Sequence, residues 1–506
     1  MENILAGISL ATTPEAFVAI IVGLIAGQIL GAVPGLTASM AVALLVPYTF
    51  YLEPWVGIPM LLGMFKGSLF GSSVTAILVK TPGAPAAAAT VLDGYPLAQQ
   101  GKGVKAMKMA LYASVFGDAF SDICLIVAAG ALAAVALKFG PPEYTLLTGF
   151  SMLTISALAG PSLWRGIFAV CLGMIVGMIG LDPIAATPRL TFGYAELEEG
   201  VGLIPMLIGI LAVSEALRQM EQPVHLLANR AVVFSKERAD NRVSWAEFKS
   251  CLPTITKSSG MGTLIGAMPG LGATIAAFLA YGEAKRSSKN PEKFGKGALE
   301  GVAAAEAANN AVSGSNMIPL LAFGIPGDIA AALIMGAFLI QGITLGPVVF
   351  QDNPVEIYAI YTAMLVANFF NLILGHGLIR IARQMVGVPK RLLFPTVLVI
   401  ASAGAYALRG SVFDIQLVFL FGALGFGMAK LRIPTVPMLI GFILMPILEE
   451  NLRITLLLSS SHDLNIGFVL QRPAFLSLLA IMGMAVFLLL RRRRALSSVA
   501  STADEE

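Results

Sequence analysis

The chain has 506 residues, of which 57% are hydrophobic and 12% are charged, and its mean hydropathy is +0.82. A soluble domain needs about a quarter of its residues charged to cover its surface. The composition therefore excludes a soluble domain and predicts an all-α polytopic membrane protein of roughly 11–13 membrane segments, because several apolar stretches exceed the ~20 residues that span a bilayer. The net charge of +3 gives no sign of a nucleic-acid partner.

The first predicted element is a broken hairpin over residues 17–47, centred on the sequence GAVPGLTAS at 31–39. Proline removes a helical hydrogen bond and glycine permits a turn, so the break is expected at Pro34-Gly35. The helix after the break would direct free N–H groups and its positive dipole end toward the membrane centre, where they suit a carboxylate. The residues predicted to bind substrate here are Pro34, Gly35, Leu36, Thr37 and Ser39.

A second element follows in the sequence KGSLFGSSVTAILVKTPGAPAAA at 66–88. Small hydroxyl side chains, Ser72 and Ser73 among them, precede another Pro-Gly break at Pro82-Gly83 by about ten residues. Uncharged oxygens beside unwound carbonyls suit a hard cation such as sodium. Ser72 and Ser73 are therefore predicted to contact substrate, and Ser72 also sodium.

Apolar spans near 109–138, 145–160, 165–181 and 201–218 then lead to a basic linker at 219–257. Within it, Ser244 and Glu247 form a possible capping box before a short helix that places Trp245, Phe248 and Leu252 on one face. This helix is either an amphipathic element on the membrane surface or an ordinary solvated linker helix.

The nine-residue motif recurs as GAMPGLGAT at 266–274, with six identical residues. Only about 25 residues, 258–282, separate two basic segments here, whereas two full crossings need about 40. The segment is therefore predicted to enter the membrane and return, with its break at Pro269-Gly270. Close helix packing is the alternative explanation of a Gly/Pro kink. The residues predicted to bind substrate are Pro269, Gly270, Leu271 and Thr274.

The second element also recurs, as NNAVSGSNMIPLLAFGIPGDIAAA at 309–332, with its break at Pro326-Gly327. Asn310 and Ser315 are predicted to contact substrate. Ser and Asn also stabilise ordinary helix contacts, which remains the alternative. The residues predicted to bind sodium are Ser72, Asn309, Asn310, Ser313, Ser315 and Asn316.

Basic residues concentrate in cytoplasmic loops, which orients the two copies. The loops at 48–59 and 336–356 have no basic residue, whereas those at 93–108 and 283–297 have three and five. The repeats are therefore predicted to be inverted, with the linker and the C-terminus cytoplasmic; Arg453 is a mild exception. The predicted division is 1–218 for the first repeat, 219–257 for the linker, 258–490 for the second repeat and 491–506 for a basic then acidic tail.

Ionisable side chains within apparent spans are rare and by default suggest function. Asp118 and Asp122 lie one helical turn apart, so a proton or cation role is conceivable. Lys66 could approach a substrate carboxylate, snorkel or pair with an acid. The full set is Lys66, Lys80, Asp118, Asp122, Glu306, Asp328 and His376. The cysteines Cys124, Cys171 and Cys251 lack metal-ligand spacing and are interpreted as packing residues.

The repeated motifs, with GALEGVAAAEAANNAVSGSNMIPLLAFGIPGD at 297–328, closely resemble the large membrane subunit of the tripartite tricarboxylate transporters, from about residue 10 to 490. The resemblance implies a bacterial inner-membrane permease that takes up di- or tricarboxylates, coupled to sodium or protons. It also implies two partners, a small membrane subunit and a periplasmic solute-binding protein, and an elevator-like movement. No cofactor other than the coupling ion is expected.

Two other classes were weighed against a secondary transporter. An intramembrane protease is disfavoured because GxGD, GxSG and HExxH motifs are absent. A Walker A sequence is also absent, so the chain is not expected to use ATP. A passive anion channel could use the same helix dipoles without a coupling-ion site. The sequence therefore predicts a transporter subunit that is not an enzyme.

Overall fold

The computed structural model describes residues 2–33, 36–159, 162–183, 185–221, 235, 237–385, 390–460, 467–480 and 482–484. Nearly all regular structure in these ranges is helical. The helices are α1 (Glu2–Ala11), α2 (Pro14–Gly31), α3 (Ala38–Thr49), α4 (Pro54–Val79), α5 (Ala88–Gln99), α6 (Gly103–Ala136), α7 (Pro141–Leu158), α8 (Leu163–Gly177), α9 (Leu203–Leu207), α10 (Ser214–Glu221), α11 (Trp245–Gly266), α12 (Gly272–Ser287), α13 (Leu299–Ser315), α14 (Met317–Phe323), α15 (Ile329–Ile340), α16 (Val349–Asp352), α17 (Pro354–Met385), α18 (Lys390–Arg409), α19 (Val412–Lys430), α20 (Thr435–Ser460) and α21 (Gly467–Leu470).

The predicted fold class, an all-α polytopic membrane protein, is confirmed. Seven spans in the described ranges are long and apolar enough to cross a membrane. Six of them are α2, α4, α6, most of α17, α19 and α20. The seventh runs from α9 to α10, which a π-helical stretch at Ile208–Val213 joins into one continuous helix. Shorter apolar helices such as α3 and α15 stand beside them, which is the pattern that broken helices produce.

The chain divides into two compact units. The first comprises Met1–Ala134 and Val201–Thr435, and the second comprises Val135–Gly200 and Val436–Glu506. This division follows compactness rather than the repeats, so the boundaries at 218, 257 and 490 stay predictions. Every predicted site residue belongs to the first unit.

Within the first unit, glycines let α2 and α4 pack with their backbones almost in contact. A Cβ added at Gly67 would lie 2.5 Å from the carbonyl oxygen of Leu24, and one added at Gly27 would overlap the carbonyl of Met64. Small residues at every fourth position produce such close helix contacts in membranes. The glycines at this contact are Gly23, Gly27 and Gly31 of α2 and Gly63, Gly67 and Gly71 of α4.

The second copy repeats this arrangement. Helix α11 packs along α13 as α2 packs along α4, and Gly262 and Gly266 of α11 approach Ala308 and Val312 of α13. The second helix of each hairpin contacts the other copy of the repeat. Helix α3 of the first copy contacts α15 of the second, and α12 of the second copy contacts α5 and the 3₁₀ turn Pro85–Ala87 of the first. The two halves of the sequence therefore form corresponding pairs of elements.

The predicted linker helix is part of a longer helix. Ser244 caps α11 with the expected reciprocal bonds, Glu247 N–H to Ser244 Oγ (3.2 Å) and Ser244 N–H to Glu247 Oε2 (2.8 Å), so the capping box is confirmed. The prediction of a short helix is wrong, because α11 continues without a break to Gly266. Phe248 packs against the core of α6 and α13 beside Cys251, so this helix is anchored from its first turns.

Loops that charge assigns to the same side contact one another. Asp93 Oδ1 accepts backbone N–H bonds of 2.8–2.9 Å from Gly295, Gly297 and Ala298, which joins two loops predicted to be cytoplasmic. On the side predicted to be external, Gln341 Nε2 donates to the carbonyl of Leu52 (2.8 Å). These contacts agree with the predicted grouping of loops.

The second unit contains α7, α8 and α20 and a small antiparallel pair of strands, β1 (Gly180–Leu181) and β2 (Pro188–Arg189). Arg453 pairs with Asp182 (2.8 Å) and Glu449 (2.6 Å), and Arg189 pairs with the same two acids. Neighbouring carboxylates therefore neutralise Arg453, so its positive charge does not argue against the external position predicted for this loop.

Candidate functional site

Three of the four Pro-Gly breaks lie in described residues, and each contacts a neighbouring element. The break after α4 meets the end of α2, where Gly83 packs against the Gly31 carbonyl and Ser72. The break after α11 meets the break after α14, where Gly270 N–H donates to the Gly327 carbonyl (2.8 Å). Contacts of α12 with the turn Pro85–Ala87 join these two pairs.

Tertiary contacts correct the match between the copies by one residue. Gly83 packs against Ser72, and Gly327 packs against Asn316. Ser72 therefore corresponds to Asn316, whereas aligning Gly71-Ser72 on Gly314-Ser315 in the sequence would pair it with Ser315. With the structural pairing, Ser72 precedes Gly83 by the same number of residues as Asn316 precedes Gly327.

The predicted substrate residues of the first hairpin fall around its break. Pro34 and Gly35 lie outside the described residues. Helix α3 begins at Ala38, and Thr37 precedes it as the N-cap, its hydroxyl accepting the N–H of Met40 (3.2 Å). Ser39 is in the first turn and partly exposed, whereas Leu36 is buried.

In the second hairpin, the break occupies residues 267–271, and α12 begins at Gly272. The turn needs left-handed backbone at Gly270 (φ +89°) and Gly272 (φ +65°), which glycine adopts without a side-chain clash. Pro269, Leu271 and Thr274 are partly exposed, with Thr274 in the first turn of α12, as predicted from the sequence.

Most of the predicted hydroxyl residues already have protein partners. Ser72 Oγ donates to the Leu69 carbonyl (2.7 Å) and Ser315 Oγ to the Ala311 carbonyl (2.8 Å). Ser313 donates to the Asp118 carboxylate. Ser/Thr side chains in helices commonly make local bonds like those of Ser72 and Ser315. In this conformation all three hydroxyls therefore donate their hydrogens to protein atoms.

A buried group around Glu306, which we call the Glu306 cluster, holds two further predicted residues. Its carboxylate accepts bonds from Ser73 (2.6 Å), Ser114 (3.0 Å) and Thr90. Asn310 Nδ2 donates to Ser114 Oγ (2.9 Å). Sequence reasoning missed Ser114 and Thr90, although Ser114 stands one helical turn before Asp118, a spacing that places both on one face.

A second buried group surrounds Lys66, and we call it the Lys66 cluster. Lys66 Nζ lies 3.2 Å from Asp118 Oδ1, 2.9 Å from Asp122 Oδ2 and 3.1 Å from Asn368 Oδ1. Pairing with an acid, one of the three roles left open for Lys66, is therefore the one observed. Asn368 was missed, although a polar side chain within the apolar span at 357–379 is itself a signal of function. The members are Lys66, Asp118, Asp122, Ser313 and Asn368.

The remaining ionisable groups have local roles. Asp328 caps α15 by accepting the N–H of Ala331 (2.8 Å), and His376 contacts the hydroxyl of Tyr112 (3.2 Å). Lys80 is exposed over the Tyr95 ring. Among the described residues no group of three His, Cys, Asp or Glu side chains could hold a metal ion.

Asn309 is buried, and both polar atoms of its side chain lack a hydrogen-bond partner among the described residues. It follows Ala305 by one turn on α13, and Ala305 packs with Ala89 of α5 and Ala277 of α12. Thr274 lies one turn before Ala277 on α12, and the turn Pro85–Ala87 directly precedes the start of α5, which contains Ala89. Buried polar groups are normally bonded, so the free amide at this level indicates a place for a ligand.

Comparison with protein families gives a match that covers most of the chain. The Tripartite tricarboxylate transporter TctA family matches residues 17–440. The chain belongs to this family. Membership makes it a large membrane subunit of a tricarboxylate transporter rather than an enzyme of the classes weighed above, and a tripartite transporter has further subunits.

Two similar proteins come from Agrobacterium vitis. The TctA-family chain is 35% identical over 482 residues, 95% of its own length and 94% of the relative's, to an uncharacterized 52.8 kDa protein in the TAR-I ttuC' 3'region. It is 41% identical over 198 residues, 39% of its length and 82% of the relative's, to an uncharacterized protein in the TAR-II ttuC' 3'region. No solved structure matches the chain.

Proposed function

We propose that this chain is the translocating subunit of a secondary importer that moves a di- or tricarboxylate across the bacterial inner membrane. A periplasmic solute-binding protein would deliver the substrate, and a small membrane subunit would complete the complex. The basic loops and basic tail would face the cytoplasm, which is the orientation that the charge distribution favours. A cation gradient, of sodium or of protons, would drive accumulation.

The observation that carries this proposal is the unpartnered amide of Asn309 on α13, one turn after Ala305, which packs against α5 and α12. Backbone N–H groups at helix starts, near Leu36 and Leu271, would bind substrate carboxylate oxygens, and Thr274 and Ser39 would add hydroxyls. The Asn309 amide would donate to the substrate or accept a coupling ion. Irregular backbone at membrane depth is tolerated only where protein or a water-filled cavity satisfies it.

For sodium, the proposed ligands are neutral oxygens near the breaks. Asn310 Oδ1 is buried without a partner, as is the Asn309 side chain, and Asn316 stands at the kink beside Asp328. With unwound carbonyls they form an oxygen-only donor set of the kind that hard cations require. Ser72, Ser313 and Ser315 donate their hydroxyl hydrogens to protein atoms, which leaves the lone pairs of their oxygens available as further ligands of the ion.

Asn309→Leu tests the proposal because it separates binding from stability. No hydrogen bond in the structure is broken, so the free energy of unfolding should stay unchanged or rise by about 1 kcal/mol. Loss of one or two contacts to a charged ligand should weaken carboxylate binding about 10- to 100-fold. The measurements are uptake of labelled citrate or tartrate into proteoliposomes that contain all three proteins, and detergent-phase unfolding.

Asn371→Leu is the matched control, since Asn371 Oδ1 accepts a bond from Gln28 Nε2 (2.8 Å). This change leaves a buried amide unpaired and should cost about 1–3 kcal/mol of stability. If Asn309→Leu destabilises the protein as Asn371→Leu does, while uptake per folded molecule is normal, Asn309 is structural. Carboxylate movement that only equilibrates across the membrane, without accumulation under any cation gradient, would instead indicate a channel.

A further inference from the structure

The Lys66 cluster lies in the interior of the first unit, where four helices meet. Lys66 belongs to α4, the two aspartates to α6, Ser313 to α13 and Asn368 to α17. The side chains of Lys66 and Asp122 are 1% exposed and that of Asp118 is 0% exposed. Their charges are therefore shielded from water and must be balanced inside the cluster.

The charges of the cluster do not balance when every group is ionised. One ammonium faces two carboxylates, and the other two members are neutral. The nearest further acid on these helices, Glu306, is held by Ser73, Thr90 and Ser114 and has no cation partner in the described residues. On α17, His376 faces Tyr112 instead. The cluster therefore has an excess of one negative charge, which is costly in a dry interior.

The hydrogen bonds show which oxygen is available to a further positive group. Asp122 Oδ2 accepts from Lys66 Nζ (2.9 Å) and from Asn368 Nδ2 (2.7 Å). Asp118 Oδ1 accepts from Lys66 and Ser313. Asp118 Oδ2 is buried and has no hydrogen-bond partner among the described residues. A single carboxylate oxygen is thus left open.

We propose that the Asp118–Asp122 pair binds one exchangeable proton, with Asp118 Oδ2 as its principal position. The reaction is the addition of H⁺ to one carboxylate, which makes a carboxylic acid and brings the cluster to zero net charge. A metal ion is disfavoured because Lys66 Nζ occupies the position between the carboxylates, and a hard cation needs several oxygens. Two acids that share one proton are an established physical pattern for close carboxylates.

The proton site is joined directly to the helices that carry the breaks. Lys66 stands on α4 upstream of Pro82-Gly83, and Ser313 stands on α13 three residues before the kink at Asn316, which leads to Pro326-Gly327. A change of charge at Asp118 alters the bonds of both side chains. If the chain is the importer proposed above, on which this step rests, the bound proton is a coupling ion.

Infrared spectroscopy tests proton binding without transport. The complete purified chain in lipid nanodiscs is titrated from about pH 4 to about pH 9, a range over which buried carboxyls titrate. We expect a carbonyl-stretch band of a protonated aspartic acid that disappears reversibly as the pH rises and that heavy-carbon aspartate shifts. The band should be absent in Asp118→Asn and altered in Asp122→Asn, but present in Glu306→Gln. A wild-type protein without such a band, or a band that only Glu306→Gln removes, would overturn the proposal.

Transport then tests the coupling role. With the complete transporter in proteoliposomes, an inward proton gradient should stimulate labelled citrate or tartrate uptake by the wild type, and Asp118→Asn should lose that stimulation. If the variant keeps full stimulation while the infrared band is lost, the proton is not a coupling ion. If the wild type takes up no carboxylate under any gradient, the proposed import function fails, whereas the infrared result still decides the proton site.

Discussion

Lys66→Met should destabilise the protein by about 3–5 kcal/mol, the cost of removing one partner from a buried ion pair. Methionine fills a similar volume, so the loss is electrostatic. It leaves Asp118 and Asp122 facing each other with only Ser313 and Asn368 as donors. The measurement is the free energy of unfolding in mixed micelles, with helix content by circular dichroism as the signal.

Two further variants make this result specific. Lys257→Met removes a lysine that pairs with Glu283 while its side chain is 53% exposed, and exposed pairs contribute only about 0–1 kcal/mol. The double variant Lys66→Met/Asp122→Asn removes one charge of each sign and should recover part of the lost stability. Equal effects of Lys66→Met and Lys257→Met would contradict the buried network that the structure places between α4 and α6.

Gly27→Ala should cost about 3 kcal/mol, near the upper end of the range for overpacking a close contact. The added methyl group overlaps the carbonyl of Met64 on α4, and neither group is the flexible end of a side chain. Helices α2 and α4 must therefore move apart along the whole contact. Because the end of α2 at Gly31 contacts Gly83 in the break after α4, uptake should fall together with stability.

Gly130→Ala is the matched control within α6. A Cβ at Gly130 meets no atom within 4 Å, and alanine stabilises a helix by about 0.5–1 kcal/mol relative to glycine. The two variants carry the same chemical change in helices, so the sign of the difference reports packing alone. Unfolding in micelles and uptake into proteoliposomes measure both effects, and a stable, active Gly27→Ala protein would show that α2 and α4 are not held this closely.

Much of the local structure follows from the sequence because its causes are local. Ser244 and Glu247 are three residues apart, so a capping box can form wherever the chain is placed. Pro269 and Gly270 stop a helix for covalent and steric reasons that need no tertiary contact. The repeat of GAVPGLTAS as GAMPGLGAT was enough to predict corresponding elements in two halves.

The candidate site was only partly predictable, as Ser72 and Asn309 show. Both are small polar residues before a Pro-Gly break, and the sequence predicts that both bind sodium. In the structure Ser72 bonds to Leu69, whereas Asn309 has no partner. Whether a buried polar side chain is free depends on its neighbours from other helices, and spacing along one helix carries no information about them.

The sequence by itself determined the membrane class, the places where helices break and the grouping of loops by charge, since composition, proline, glycine and lysine act through local chemistry. The tertiary structure alone decided that Lys66 pairs with Asp118 and Asp122, that Glu306 collects three hydroxyls and that the break at Pro269-Gly270 meets the break at Pro326-Gly327. Helical periodicity predicts which residues share a face of one helix, but it does not predict which other helix packs against that face. Close packing and the cost of buried charge select those partners only when the whole chain has folded.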